Sequence, residues 1–198
     1  MSTVRKAVAG LAFALVALVC LILIWGSRLA SSPEPVFTVE SDLEIEAPIE
    51  SVWRALADFE RYPEWNPYAI RVEGRAAVGE TITLTIVQED WEKPLTVRPE
   101  IVTFEINREL GWRGRLLFSG LHETHHFFQL EERGPNRTRL HHAEEFRGLL
   151  PGWIHGPEAR RHIKNAFRAM NEALKRRAER VDQDIADRGW SRLRNPRS

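Results

Sequence analysis

The chain has 198 residues, of which 43% are hydrophobic and 28% charged, and its formal net charge is zero. That balance excludes a disordered or fibrous chain and leaves room for one ordinary domain plus an appendage. The single cysteine, Cys20, excludes an intrachain disulfide and a cysteine-based metal cluster. Charge is unevenly spread: from Glu158 to the C-terminus twelve basic residues face six acidic ones, so the rest of the chain is acidic by the same margin. A solvated face of a basic C-terminal helix explains this, and so does contact with anionic lipid.

Residues 7–25, "AVAGLAFALVALVCLILIW", carry no charge. At about 1.5 Å rise per residue, a helix of that length crosses the hydrocarbon core of a bilayer. Trp25 stands at its far end, where an indole favours the interface. A cleaved signal peptide is the alternative, but no small-x-small cleavage site is well placed: a cut after Ala30 puts Arg28 three positions from the cut, and a cut after Ser27 puts Trp25 there. The reading is an uncleaved anchor over 1–28 and a small, polar, proline-bearing linker over 29–36. Arg5 and Lys6 precede the span and Arg28 follows it, a narrow bias toward a single-pass protein with its soluble domain on the extracytoplasmic side.

From Phe37 the pattern alternates, placing Phe37, Val39, Leu43 and Ile45 on one strand face. Pro48 suits a first helical turn and Glu50 its positive end. Ile49, Val52, Trp53, Leu56 and Phe59 form a helical stripe. Pro63 ends it or its short successor within "DFERYPEWNPY", where Tyr62, Trp65 and Tyr68 crowd around two prolines. Further strands are predicted over 81–88, 95–106 (with a bulge or edge at Pro99), 109–118, 122–132 and 137–146. "RGPN" at 133–136 is the turn of a hairpin. Pro157 opens a long helix striped by Ile163, Phe167, Met170, Leu174, Val181 and Ile185. The strands should form an antiparallel sheet covered by that helix, an α+β domain over 37–187, with 188–198 a disordered basic tail.

Five of the seven histidines fall at 122, 125, 126, 141 and 142 on the hairpin strands. A turn centred on Gly134–Pro135 places His125, His142 and Glu144 on one face. Such groups in a dry pocket transfer protons, although a one-residue slip moves them to the opposite face. Exposed His/Glu pairs that merely solubilise a sheet remain the competing reading. The spacing matches no zinc signature, so no metal is expected. There is no G-x-S-x-G nucleophile elbow and no phosphate-cradling loop, and no cofactor is expected. Nothing in the pattern points to nucleic acid.

Several segments carry a resemblance. "IEAPIESVWRALADFERYPEWNP" at 45–67, "RELGWRGRL" at 108–116, "GLHETHHFFQLEE" at 120–132, "TRLHHAEEFRGLLP" at 138–151 and "AFRAMNEALKRRAE" at 166–179 together resemble the START-like (SRPBCC) superfamily, in its polyketide cyclase/dehydrase branch. The resemblance covers roughly 37–180. It implies a helix-grip fold: a curved antiparallel sheet of about six to seven strands around the long C-terminal helix, enclosing an apolar pocket. The implied partner is a small hydrophobic ligand, lipid-like or aromatic. Candidate ligand contacts are Trp65, Tyr68, Trp91, Trp112, Phe127, Phe167 and Met170, against the alternative that these side chains simply build a core. A membrane-tethered binding or transfer module is one reading. A cyclase, dehydratase or isomerase using His125, His142 or Glu144 is a second, and a structural partner with a filled interior is a third.

Overall fold

The structure, a computed structural model, describes residues 2–30, 34–88 and 91–194, and among them the side chains of 5–26, 28, 34–88 and 91–180. Helix α1 (Ser2–Ala30) leads to β1 (Phe37–Ile45), α2 (Ile49–Ala57), a 3-10 turn at Phe59–Arg61, α3 (Tyr62–Trp65) and β2 (Ala69–Glu73). Strands β3 (Thr83–Ile86), β4 (Leu95–Val97), β5 (Glu100–Glu105), β6 (Glu109–Leu116), β7 (His122–Gly134) and β8 (Arg137–Arg147) follow. The chain closes with α4 (Pro151–Ile154) and α5 (Pro157–Arg194). Within α1, Arg5–Gly26 is long and apolar enough to cross a membrane.

Among the described residues two antiparallel sheets form, one of five strands in the order β1-β8-β7-β6-β5 and one of three in the order β2-β3-β4. The expected strand over 95–106 is two strands. Pro99 has no N–H to continue a ladder, so β4 ends before it and β5 starts after it in the other sheet. The corner is stitched by Ile82 N–H to Pro99 O (3.0 Å) and Ile101 N–H to Glu80 O (2.9 Å). Strand β2 escapes the alternation test because its pairing with β3 shifts register between Ala69 and Arg71. Among the described residues these two features give eight strands where about six to seven were expected. Helix α5 runs past 187 to Arg194, so residues 188–194 of the expected tail are helical, while 195–198 lie outside the described residues.

Helix α5 lies over the inner face of the larger sheet, closest to β1 and α2. Its expected stripe is buried at Ile163, Phe167, Met170 and Leu174; Val181 and Ile185 fall outside the described side chains. Phe128, His142, Phe167, Met170 and Leu174 are each at most 1% exposed. The space between helix and sheet at this level is therefore filled with side chains, which corrects the expectation of unfilled apolar room there. Open space begins nearer the start of α5.

The β8–α4 connection depends on Gly148. Its φ is +103°, and a Cβ there would lie 2.8 Å from the carbonyl oxygens of both Gly120 and Leu121. Leu149 N–H and Leu150 N–H donate to these same two oxygens, at 3.0 and 2.9 Å, so neither can retreat freely. Gly148→Ala is expected to cost about 1–3 kcal/mol through the strained φ alone, read as a lowered thermal midpoint.

Candidate functional site

The hairpin register decides which histidines face inward. β7 and β8 pair His125 with Glu145, His126 with Glu144 and Phe128 with His142. This is one residue away from the expected pairing, because the ladder shifts between Glu132 and Gly134 before the turn. The inner face therefore carries His126, His142 and Glu144, and His125 is turned outward, 3.8 Å from Glu145. His142 and Glu144 share a face as expected; His126 takes the place given to His125.

His142 is completely buried. Asn171 donates through Nδ2 to the Ser41 carbonyl (3.4 Å), leaving its Oδ1 to accept from His142 Nδ1–H at 2.7 Å. Neutral His142 then presents a lone pair at Nε2, which accepts from His126 Nε2–H at 2.8 Å. His126 Nδ1 lies 3.8 Å from Glu144 Oε2. Burial, then the charge of His126, hold the His142 imidazolium well below the usual histidine range, so His142 stays neutral. Trp112 stacks on His126 (4.7 Å, 11°) and Phe167 on His142 (4.0 Å, 19°), fixing both rings.

Tyr68 continues the network toward solvent. Asn66 Oδ1 accepts from the N–H groups of Tyr68 (3.0 Å) and Ala69 (2.9 Å), a turn that aims the Tyr68 ring edge-on at Phe167. Burial first, then the nearby Glu144, push the Tyr68 phenol above its ordinary range, while Gln88 hydrogen-bonds its side chain. The phenol therefore stays protonated, a neutral donor at the edge of an opening. Glu144 also acts on His122 and His155, whose Nε2 atoms are 3.0 Å apart. Only one of that pair can carry the bridging proton. Burial lowers the pKa of both.

The opening is a cleft of about 350 Å³ lined by Pro67, Tyr68, Val87 and Gln88 on one side and His162, Asn165, Ala166 and Ala169 of α5 on the other. Those four α5 positions share one helical face, spaced three, one and three. Of the expected contacts, Tyr68 lines this cleft. Trp65 belongs to a separate cleft of about 190 Å³ with Arg54, Asp58, Arg61 and Arg177. Trp91 is half-buried against the core. Trp112, Phe167 and Met170 are core residues behind the cleft. Phe127 is on the outer face, near His141. Sequence reasoning passed over Gln88, Asn171 and the α5 face; the spacing of 162, 165, 166 and 169 was the available signal. Among the described residues, no three His, Cys, Asp or Glu side chains are arranged to hold a metal ion.

A family model described as polyketide cyclase/dehydrase and lipid transport matches residues 36–179. The chain belongs to that family. No curated protein matches the sequence at a significant level. Among solved structures, the polyketide cyclase/dehydrase family chain is similar to a START superfamily protein from Mycobacterium smegmatis (18% identity, TM-score 0.59, covering 73% of this chain and 98% of that one). It is also similar to an aromatase/cyclase from a Streptomyces species (22%, 0.55, 73% and 94%). A hypothetical protein from Helicobacter pylori aligns at 16% identity with TM-score 0.62, over 75% and 91%. These likenesses show the helix-grip fold.

Proposed function

We propose that this polyketide cyclase/dehydrase family chain is a membrane-tethered binding or transfer module for a small hydrophobic molecule, lipid-like or aromatic, held at the Tyr68–α5 cleft. The cleft carries the reading. It is concave, it has apolar walls in Pro67, Val87, Ala166 and Ala169, and it offers a few polar groups in Tyr68, Gln88 and Asn165. The family's lipid-transport description supports the ligand class. The apolar helix at Arg5–Gly26 supports the tether. Arg5 and Lys6 before that span favour the domain on the extracytoplasmic side.

Ala166 sits at the centre of the helical wall, half-buried. Ala166→Trp fills the opening from its helical wall. Native mass spectrometry of the full chain from detergent is expected to find a co-purifying hydrophobic molecule on the wild type, and none on the variant, at an unchanged thermal midpoint. A wild type that retains nothing, or a variant that retains as much, refutes the assignment.

A cyclase-type enzyme is the second reading. The observation favouring it is Glu144, side chain 13% exposed, 3.8 Å from His126 and acting on the cleft-lining Tyr68: a carboxyl group set close to a neutral acid at the cleft. The two readings separate at Glu144→Gln. A binding module retains the same molecule in the same amount. An enzyme retains a different molecule, the unconverted substrate, told apart by mass where the reaction loses water and by chromatographic retention where substrate and product are isomers.

A further inference from the structure

Outside α1, nine large apolar side chains are exposed among the described residues, and six of them gather at one end of the domain: Val36, Leu116, Leu117, Phe118, Trp153 and Ile154. Backbone contacts unite their segments. Val36 N–H donates to Phe146 O (2.8 Å), Leu149 N–H to Gly120 O (3.0 Å) and Leu150 N–H to Leu121 O (2.9 Å). Val36 Cγ1 would lie 3.6 Å from a Cβ on Gly152. Two residues stand out. Trp153 is 89% exposed, and Leu117 is 83% exposed on a backbone with φ of 59°. A bulky residue in the left-handed region with its side chain in water gains nothing for the fold.

The same end receives α1. A Cβ on Gly26 would fall 2.9 Å from Gly120 O and 3.2 Å from Leu149 Cδ1, so the last turn of the apolar span abuts these loops. Trp25 is exposed beside the junction, with Arg28 exposed just after it. The opposite end of the sheet is charged, with exposed ion pairs Arg108–Glu105 and Arg133–Glu131 at the β5–β6 and β7–β8 turns. The domain is thus polar at the end far from α1 and apolar at the end touching it, the polarity of a body resting on a bilayer.

We infer that Leu117 and Phe118 of the β6–β7 turn and Trp153 and Ile154 of α4 form a membrane-docking surface, inserted into the interface of the leaflet from which α1 emerges. The inference rests on α1 spanning the membrane. It adds a second contact that fixes how the domain stands on its tether. His162–Ala169 of the cleft lie roughly 8–18 Å along α5 from its start, by the helical rise, and α5 begins just after α4. Docking therefore holds the cleft close to the lipid surface, a short transfer path for a lipid-like molecule.

The test uses the full chain in phosphatidylcholine/phosphatidylglycerol nanodiscs with nitroxide-labelled lipid. An environment-sensitive fluorophore is attached to single cysteines made by Leu117→Cys, Trp153→Cys or Ile106→Cys in a Cys20→Ser background, and to native Cys20 in the wild type. Probes at 117 and 153 are expected to emit blue-shifted and to lose most of their emission to the nitroxide, as does the probe at Cys20. The probe at 106, also at an exposed apolar residue but at the charged end, is expected to stay red-shifted and unquenched. A quenched Cys20 with 117 and 153 reading like 106 overturns docking and leaves the tether standing. An unquenched Cys20 overturns both. Blue-shifted but unquenched probes at 117 and 153 overturn docking in favour of a protein partner, such as a second copy of the chain.

Discussion

Replacing Phe167 with alanine is expected to lower the unfolding free energy by about 3–5 kcal/mol, the range for deleting a fully buried phenylalanine. Phe167 is 0% exposed. Its ring stacks on His142, and meets His126 at 5.1 Å and Tyr68 at 5.9 Å edge-on. The loss thus removes the wall that separates the histidine chain from the cleft, as well as apolar burial. Phe167→Leu keeps most of the volume and loses the stacking, so its cost should be smaller while Tyr68 still loses its edge contact. Chemical denaturation of the full chain in detergent, followed by circular dichroism, measures both. An alanine variant within about 1 kcal/mol of wild type would mean that this interface is loosely packed.

The second large effect is on pH. His142 has a depressed pKa in the fold and an ordinary one near 6.5 when unfolded. Below about pH 6.5 the unfolded chain takes up a proton at this position that the native chain refuses. Stability is therefore full above that pH and falls as pH drops below it. The slope is about 1.4 kcal/mol per pH unit for this one proton, for as long as His142 stays neutral in the fold. His122, His125 and His155 are shifted the same way, chiefly by burial, and add to the slope. His142→Phe combined with Asn171→Leu removes this proton without stranding the Asn171 amide, and His126 keeps Glu144. The double variant is expected to lose about one proton's worth of slope between pH 6.5 and 5. An unchanged slope would place the titration elsewhere.

Two of the groups that add to the acid destabilisation, His122 and His155, lie at the docking end of the molecule. His122 and His155 join β7 to the residue after α4, and His155 is also packed against Phe37 and Phe146. Arg160 covers the Phe37 ring from the other side, 3.8 Å above its centroid, and donates to the His155 carbonyl. This end is held by aromatic and histidine contacts in place of a deep aliphatic core.

Much of the architecture was legible because it follows from local periodicity. The alternation of Phe37, Val39, Leu43 and Ile45, the stripe Ile163–Phe167–Met170–Leu174 and the charge-free run before Gly26 each depend on the direction in which successive side chains leave a regular backbone. Prolines and turn residues then set the limits of those elements. Asn66–Pro67 closes α3 and Pro99 parts two strands, whereas Pro63 stands in the first turn of α3, after α2 has already ended at Ala57.

Register and occupancy were decided only by tertiary structure. Sequence placed histidines on two paired strands, but one residue of shift before the Gly134 turn put His126 inside and His125 outside, since neighbouring side chains on a strand point to opposite faces. Whether helix and sheet leave a void depends on how Phe128, His142, Phe167 and Met170 interlock across strands far apart in the chain, and no local pattern encodes that sum of volumes. The aromatic residues around 58–68 divide for the same reason. Tyr62 turns inward and gives its hydroxyl proton to the Leu56 carbonyl at 2.7 Å, while Tyr68 reaches the cleft through the Asn66 turn. Composition and spacing told which residues would be apolar, paired or turning. The three-dimensional packing of distant segments chose which of them meet, because burial is a property of the assembled interior and not of any one stretch of chain.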